Sequence, residues 1–398
     1  MRLVLSLMGL SLFAPFCMAD PPEVRFRKVQ LDHRFRSEGV AVGDFNHDGL
    51  NDIAAGFVWY AAPDWKLQVV STKHPWKNGA LIETPAHFQP KGYSNCFCAF
   101  AEDLNGDSWT DIIICDFPGT PTWWYENPRE NGKEWTRHVL TPVTNNESPQ
   151  MVDLDLDGTR EFVAAFNPDA VDIDGPQKKM GYFTRGANPT DPWDVHAVSA
   201  AGAQGCNRYS HGLGIGDVNL DGRQDIVCEA GWWEGPEEAS GAWSFHEVPF
   251  GSGAQIFVYD FDGDGDQDVL TSSPHAFGIW WHEQQAPGQW RKQEIDASFS
   301  QTHGVCLADM NGDGLMDFVT GKRWWAHGGA DPGADQPAAF YWFELRREGG
   351  RPIWIRHQFD HDSGPGTQFE VADVNADGYL DVVSSNKKGV YYFEQFRE

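Results

Sequence analysis

The sequence predicts an all-β protein: a seven-bladed β-propeller with four-stranded blades, the N-terminal strand completing the last blade. Three observations carry this. One acidic nine-residue pattern recurs seven times, apolar strand segments flank every copy, and an aromatic strand follows each copy in the same order. The pattern is D-x-[DN]-x-D-[GS]-x-x-[DE], with copies starting 43 to 64 residues apart. A repeat this regular overrides the two or three domains that 398 residues would otherwise suggest.

Each element follows from its residues. An alternating segment such as GVAVGDF or GLGIGDV precedes the acidic loop and reads as the first strand. A β-rich run such as DIIIC, DIVCEA or DFVTGK follows the loop as the second. The third strand is aromatic: VWY at 58–60, TWWYE at 122–126, GYF at 181–183, GWWE at 231–234, IWWHE at 279–283, YWFE at 341–344 and VYYFE at 390–394. Fourth strands alternate, as in WKLQVV, EWTRHVL, WDVHAV, WSFHEV, QWRKQEI and PIWIRHQF. Only six of these follow a third strand. The seventh is RFRKVQLD at 25–32, at the other end of the chain, where it would complete the last blade and remove the exposed edges.

The first residues set the expected compartment. Arg2 precedes an apolar run from Leu3 to Phe16, too short to span a bilayer and suited to a signal peptide, residues 1–19. Bulky Phe16 argues against lipidation of Cys17. The expected mature chain, 20–398, is one secreted or periplasmic propeller domain. Cys96, Cys98, Cys115, Cys206, Cys228 and Cys306 lack zinc-site spacing. Pairing of Cys98 with Cys115 or Cys206 with Cys228 stands beside a reading as small buried hydrophobes. A formal net charge of −28 excludes nucleic acid as a partner, and no later segment is long enough to cross a membrane. With 14% aromatic residues, 18 of them Trp, the chain has ample area to bury, so the acidity does not signal disorder.

The acid sits in the loops. Expected metal ligands are Asp44, Asn46, Asp48 and Asp52; Asp103, Asn105, Asp107 and Asp111; Asp153, Asp155, Asp157 and Glu161; and Asp217, Asn219, Asp221 and Asp225. The remaining loops add Asp260, Asp262, Asp264 and Asp268; Asp309, Asn311, Asp313 and Asp317; and Asp373, Asn375, Asp377 and Asp381. Hard oxygen donors converging within one turn suit Ca²⁺, and like charges this close repel unless a cation neutralises them. The EF-hand alternative fails, because its twelfth position holds Ala55, Ile114, Ala164, Cys228, Thr271, Thr320 and Ser384 rather than Glu. A site of Kd ~10⁻⁴ M in millimolar calcium contributes about 1.4 kcal/mol, so seven contribute on the order of 10 kcal/mol. The expected ions are structural.

These loops and their flanking strands resemble the FG-GAP or VCBS repeats of extracellular propellers, including integrin α-subunit heads, over about residues 25–398. The resemblance implies the fold and the calcium, and says little about activity.

In a propeller, the loops leading into first strands share one rim with those leaving second strands, opposite the acidic loops. The first set presents Glu38, Asn95, Gln150, His211, Gln255, His303 and Gln368; the second offers Glu229, His275, Lys322, Arg323, His327, Asn386, Lys387 and Lys388. Insertions at 73–93, 168–180 and 327–338 map to the same rim. His211 in SHG and His303 in THG are equivalent by repeat. They read as metal ligands or an acid–base pair with His275 or His327, or as histidines bonded to backbone across the channel. Lys322, Arg323 and His327 in GKRWWAHG suit an anionic or enolate-like species, or form a solvated loop end. His138, His196, His246 and His357 fall in fourth strands and read as surface positions.

SHGLGIGDVNLDG, GAQIFVYDFDGDG, SPHAFGIWWHE and GKRWWAHG are similar to the propeller part of aldos-2-ulose dehydratases. That resemblance implies a carbon–oxygen lyase acting on a keto- or anhydro-sugar, with one further divalent metal on the rim. His211 and His303 would be base or ligands, His275 and His327 acid–base groups, and Lys322 and Arg323 enolate stabilisers. Glu38, Asn95, Gln150, Gln255 and Gln368 would contact the sugar. The alternative is a non-catalytic module presenting the same rim to carbohydrate or protein. A paired-carboxylate hydrolase ranks below both, since the calcium loops absorb nearly all the acids.

Overall fold

The computed structural model describes residues 23–75, 81–168, 174–238 and 241–397, so the expected signal peptide lies outside the described residues. Seven four-stranded antiparallel sheets follow the predicted repeat. Blade 1 is Ala41–Gly43, Asp52–Ala55, Val58–Ala61 and Lys66–Val69, and blades 2 to 6 repeat that order. Blade 7 takes Phe369–Ala372, Asp381–Asn386 and Gly389–Arg397 from the end of the chain, and Val24–Asp32 from its beginning. Val24 pairs with Arg397 and Lys28 with Phe393. The Lys28 ammonium donates to Asp360 Oδ1 of blade 6 at 2.7 Å and also reaches Asp362. The ring closes as the sequence predicts.

Apolar residues alternate between two neighbours, so the core lies between blades. Ile112 and Ile114 of blade 2 pack with Ala54 and Trp59 of blade 1, while Ile113 packs with Phe162 of blade 3. The same division repeats at every junction, as where Val383 and Tyr392 of blade 7 meet Ile53 and Tyr60 of blade 1. Second strands are therefore buried on both faces, which is why they read as unbroken apolar runs.

Three features depart from the expectation or refine it. Part of the 73–93 insertion folds as a small extra hairpin, Lys73–Pro75 against Leu81–Glu83. The outer-strand histidines lie at the surface as expected, His196 and His246 exposed and His138 and His357 half-buried, and each has a ring partner. His138, His196, His246 and His357 stack on third-strand Trp124, Tyr182, Trp232 and Trp342 with ring centroids 4.2 to 4.7 Å apart. Three of them also meet a third-strand glutamate, His138 with Glu126, His246 with Glu234 and His357 with Glu344. The stacking covers one face of each imidazole and leaves the ring at the outer edge of its blade. All six described cysteines are free thiols; Cys98 and Cys115 face each other across a strand pair without a bond.

Candidate functional site

The two ends of the ring offer two kinds of site. At the acidic end, every loop is wound by its own carboxylates. Asp44 accepts the backbone N–H groups of Asp48 and Gly49 at 3.0 and 2.8 Å, and Asp48 accepts that of Leu50 at 2.9 Å. The ninth position is the buried anchor. Asp52 takes the N–H of Phe45 in its own loop at 2.9 Å and that of Ala62 beyond the third strand at 2.8 Å. Asp111, Asp225, Asp268, Asp317 and Asp381 repeat this double acceptance, and Glu161 keeps its loop half, with Leu154. Burial, ahead of repulsion from the loop acids, pushes Asp111, Asp225 and Asp317 up to about 7.

Positions one, three and nine bring oxygens within 4.8 Å of one another in Asp153, Asp155 and Glu161 and in Asp260, Asp262 and Asp268. Hard oxygens set so close, already oriented by backbone N–H groups, fit a calcium-sized cation. The fourth and sixth positions are both left-handed. Glycine at the sixth was legible; His47, Leu156, Leu220 and Ala376 at the fourth, with φ from 58° to 62°, were not. Ser108 holds φ 70° where the other loops have glycine.

At the opposite mouth the histidines converge. His211 Nε2 lies 3.0 Å from His303 Nε2 and 3.2 Å from His275 Nε2. Glu147 Oε2 is 3.2 Å from both His211 Nε2 and His303 Nε2. Their outer nitrogens fix the tautomers. His303 Nδ1 faces the Thr367 carbonyl at 3.3 Å, and His275 Nδ1 faces Asp331 Oδ2 at 3.1 Å. A carbonyl and a carboxylate only accept, so both Nδ1 atoms carry the hydrogen and both Nε2 atoms present lone pairs. Burial, ahead of nearby positive charge, pushes His303 down to about 3 and His275 to about 4, which keeps both neutral. Two bare nitrogens and a carboxylate oxygen thus meet around His211, which can supply at most one hydrogen from that side. Ligand atoms placed cis around an ion at about 2.1 Å stand roughly 3.0 to 3.4 Å apart, which is the spacing His211 shows to His303, His275 and Glu147. The donor set fits a divalent cation, with Asp331 and the Thr367 carbonyl as the outer partners that orient its imidazoles.

Beside this cluster His327 Nδ1 donates to Asp331 Oδ1 at 2.8 Å, and its ring stacks on His275 at 4.4 Å. Asp331 also accepts from Gln301 Nε2 at 2.9 Å. A cavity of about 490 Å³ opens over the site, lined by Tyr93, Phe97, Phe117, Glu147, Tyr209, His211, His275 and His327. Its aromatic wall is an edge-packed series, with Phe117 5.3 Å from Phe97 and 5.7 Å from Tyr209.

The structure brings together His211, His275, His303 and His327 and sets the other expected residues apart. Lys322 and Arg323 are buried behind the imidazoles, not in the cavity, and Arg323 Nη2 lies 3.0 Å from buried Glu38 Oε2. The amides expected to touch a sugar are bonded within the protein. Gln255 Oε1 accepts from Val305 N and Gln368 Oε1 from Val40 N, while Gln150 and Asn95 donate to the Leu213 carbonyl and Asp116. Gln150, Gln255 and Gln368 sew neighbouring blades together around the channel.

Glu147, Asp331, Tyr93, Phe97, Phe117 and Tyr209 were missed. One signal was available for three of them. Tyr93, Glu147, Tyr209 and Gln301 each immediately precede the Ser or Thr that leads into a first strand, so they form one column of the repeat. Gly212, after His211, sits at φ 79° against blade 5, where an added Cβ would lie 3.2 Å from Gly253 Cα. The SHG motif therefore needs its glycine for position.

A family profile described as FG-GAP-like repeat matches residues 103–164 and 260–320. No curated protein matches the chain. Among solved structures, BBS1N in complex with ARL6DN aligns at 9% identity and TM-score 0.46 over 94% of this chain and 96% of that one. The rhamnogalacturonan lyase YesW aligns at 11% identity and TM-score 0.44, over 92% of this chain and 75% of that one. The Aleuria aurantia lectin with Fucalpha1-6GlcNAc aligns at 11% and 0.38, over 87% and 100%. The chain carries FG-GAP-like repeats and closes them into a seven-bladed β-propeller.

Proposed function

We propose that this is an exported propeller, held by calcium in its acidic loops, whose histidine mouth binds a divalent metal and eliminates water or an alcohol from a keto-sugar. The observation that supports it is the convergence of His211, His275 and His303 Nε2 with Glu147 Oε2 on the floor of an aromatic-walled cavity. A divalent ion held there would supply Lewis acidity to the substrate's ketone oxygen. The protein's own groups account for the proton. His327 donates its Nδ1 hydrogen to Asp331, so its Nε2 carries the lone pair of a general base. It takes the hydrogen from the carbon beside the ketone, and the C–H electron pair becomes the enolate. The enolate collapses to a carbon–carbon double bond as the β-oxygen leaves, and that oxygen collects the proton from His327. Phe97, Phe117 and Tyr209 suit the apolar face of a sugar ring.

Substituting His211 and His303 together by alanine tests this. The expected result is loss of a mouth-bound metal, read by anomalous scattering, and loss of turnover on a keto-sugar, with the melting temperature held within a few degrees. Sugar binding that survives the double change, with no turnover in the parent, would replace the lyase by a binding module.

A further inference from the structure

One acidic loop departs from the other six. In those six, Oδ1 of the first aspartate accepts a backbone N–H from the fourth or fifth position, as Asp44 does from Asp48 and Asp260 from Gly263. Asp153 Oδ1, in the loop of blade 3, is buried and has no partner among the described residues. The ninth position differs too, being glutamate in this loop and aspartate in the others. Glu161 is 4% exposed, and its Oε2 takes the Leu154 N–H at 2.8 Å. Among the described residues its Oε1 takes none, although a carboxylate this buried normally finds donors for both oxygens.

Glu161 lines a cavity of about 350 Å³ between blades 3 and 4, and small-molecule sites run from roughly 300 to 1,000 Å³. Tyr182 and Trp243 form an aromatic corner in it, with ring centroids 6.3 Å apart and 55° between planes. Blades 2, 4 and 6 stack buried Trp124, Trp232 and Trp342 on their outer histidines; blade 3 has the half-buried Tyr182 in that position. Leu156, 55% exposed, extends the apolar rim. Arg223, on the same lining, is taken up by Asp221, by Glu234 at 3.6 Å and by the Gly235 carbonyl at 2.7 Å.

We infer that this cavity is a calcium-dependent carbohydrate site, in which vicinal hydroxyls of a neutral saccharide meet the ion of the blade 3 loop and Glu161 Oε1 while the ring lies against Tyr182 and Trp243. The inference rests on the calcium reading of the acidic loops and is independent of the mouth. Charge and hydrogen bonding select the ligand. Asp153, Asp155, Asp157 and Glu161 carry four negative charges, a Ca²⁺ among them leaves two, and Glu237 on the lining adds another. An anion is turned away. Calcium takes about six to eight oxygens, so four side chains giving one oxygen each leave room for a ligand's own. A hydroxyl lends the ion a lone pair and gives Glu161 Oε1 a hydrogen, whereas a carboxylate has no hydrogen to give. The apolar face of a pyranose suits the aromatic corner.

Titration calorimetry on the full chain in calcium tests this, with His211→Ala/His303→Ala as the background so that the mouth does not contribute. Methyl α-D-mannoside, L-fucose and D-galactose, which carry cis vicinal hydroxyls, are compared with acetate, and bound calcium is counted by atomic emission. The expected result is millimolar or tighter binding of at least one sugar and none of acetate. Glu161→Asp rebuilds the loop of the other six blades, so it should keep the calcium count and the melting temperature while weakening that sugar at least tenfold. Tyr182→Ala should weaken it about tenfold, and decides the matter if Glu161→Asp fails to fold. A calcium-loaded protein that binds none of the three sugars would overturn the inference and leave the calcium reading standing, as would sugar binding that neither change alters. Acetate binding as tightly as the sugar would overturn the hydroxyl ligation. A protein that holds no calcium would overturn both.

Discussion

The acidic end of the ring says the same thing seven times, and the histidine end never says the same thing in all seven blades. In each acidic loop the ninth residue accepts the N–H of the second, and six of the seven also accept a backbone N–H within or just after the third strand. At the mouth, equivalent turns present Glu38, Asn95, His211 and His303. Repetition marks what every blade needs in order to fold. Divergence at an equivalent position marks chemistry that only one place in the ring requires, built on a scaffold whose stability is supplied elsewhere.

If that division is right, the largest effect belongs to the acidic end. Stripping divalent ions with excess EGTA should lower the melting temperature by about 10–20 °C, whereas the His211/His303 double alanine should barely move it. An unchanged melt in EGTA breaks the comparison. Second comes the buried pair behind the mouth. Arg323→Met leaves buried Glu38 with only the more distant Lys387 ammonium at 3.8 Å and should cost about 3 kcal/mol in urea unfolding, while a second change, Glu38→Met, should recover much of it. A double variant as unstable as the single one would show that packing, not charge, decides there.

The clasp between blades 6 and 7 gives a third, smaller test. Burial would raise Asp360, but hydrogen bonds from Lys28 and Ser363 outweigh it and bring the carboxyl down to about 2 from 3.8. Its folded value is thus below its unfolded one, so the stabilisation is present above about pH 4 and is lost as pH falls toward 2. Asp360→Asn should cost about 2 kcal/mol at pH 7 and almost nothing at pH 2; a pH-independent cost would refute this. Smallest is Ser108→Gly, which relieves a left-handed residue and should stabilise by about 1 kcal/mol in the same assay. No gain would mean that the loop, not the side chain, carries the strain.

Blade number, strand order and ring closure were legible because each rests on a period that the chain repeats, and Val24–Asp32 was found as the strand the count lacked. The four mouth histidines were legible for a related reason, since His211 and His303 share a repeat position. Glu147 escaped because Gln150, at the start of its strand, looked like the equivalent residue, while the side chain that reaches the imidazoles stands three places earlier. Asp331 lies in a loop with no counterpart in other blades, so nothing in the repeat pointed to it. Phe97, Phe117 and Tyr209 resembled the many aromatics that fill blade junctions, and only their position around one cavity separates them. Local sequence cannot tell a ring that faces a neighbour from one that faces a void.

Because Val24 and Arg397 are partners in one ladder, the last sheet is, among the described residues, the one blade that cannot form from a continuous stretch of chain. A chain emerging from its N-terminus makes six sheets in succession while Val24–Asp32 waits for a partner that is translated after all of them. Until then the unfinished stack has two raw ends, and a neighbour's free strand could dock there instead of its own. Joining the two termini by a short linker and reopening the chain in the turn between blades would move that late step to another sheet. The refolding yield of such permutants would then report how much the order of synthesis matters.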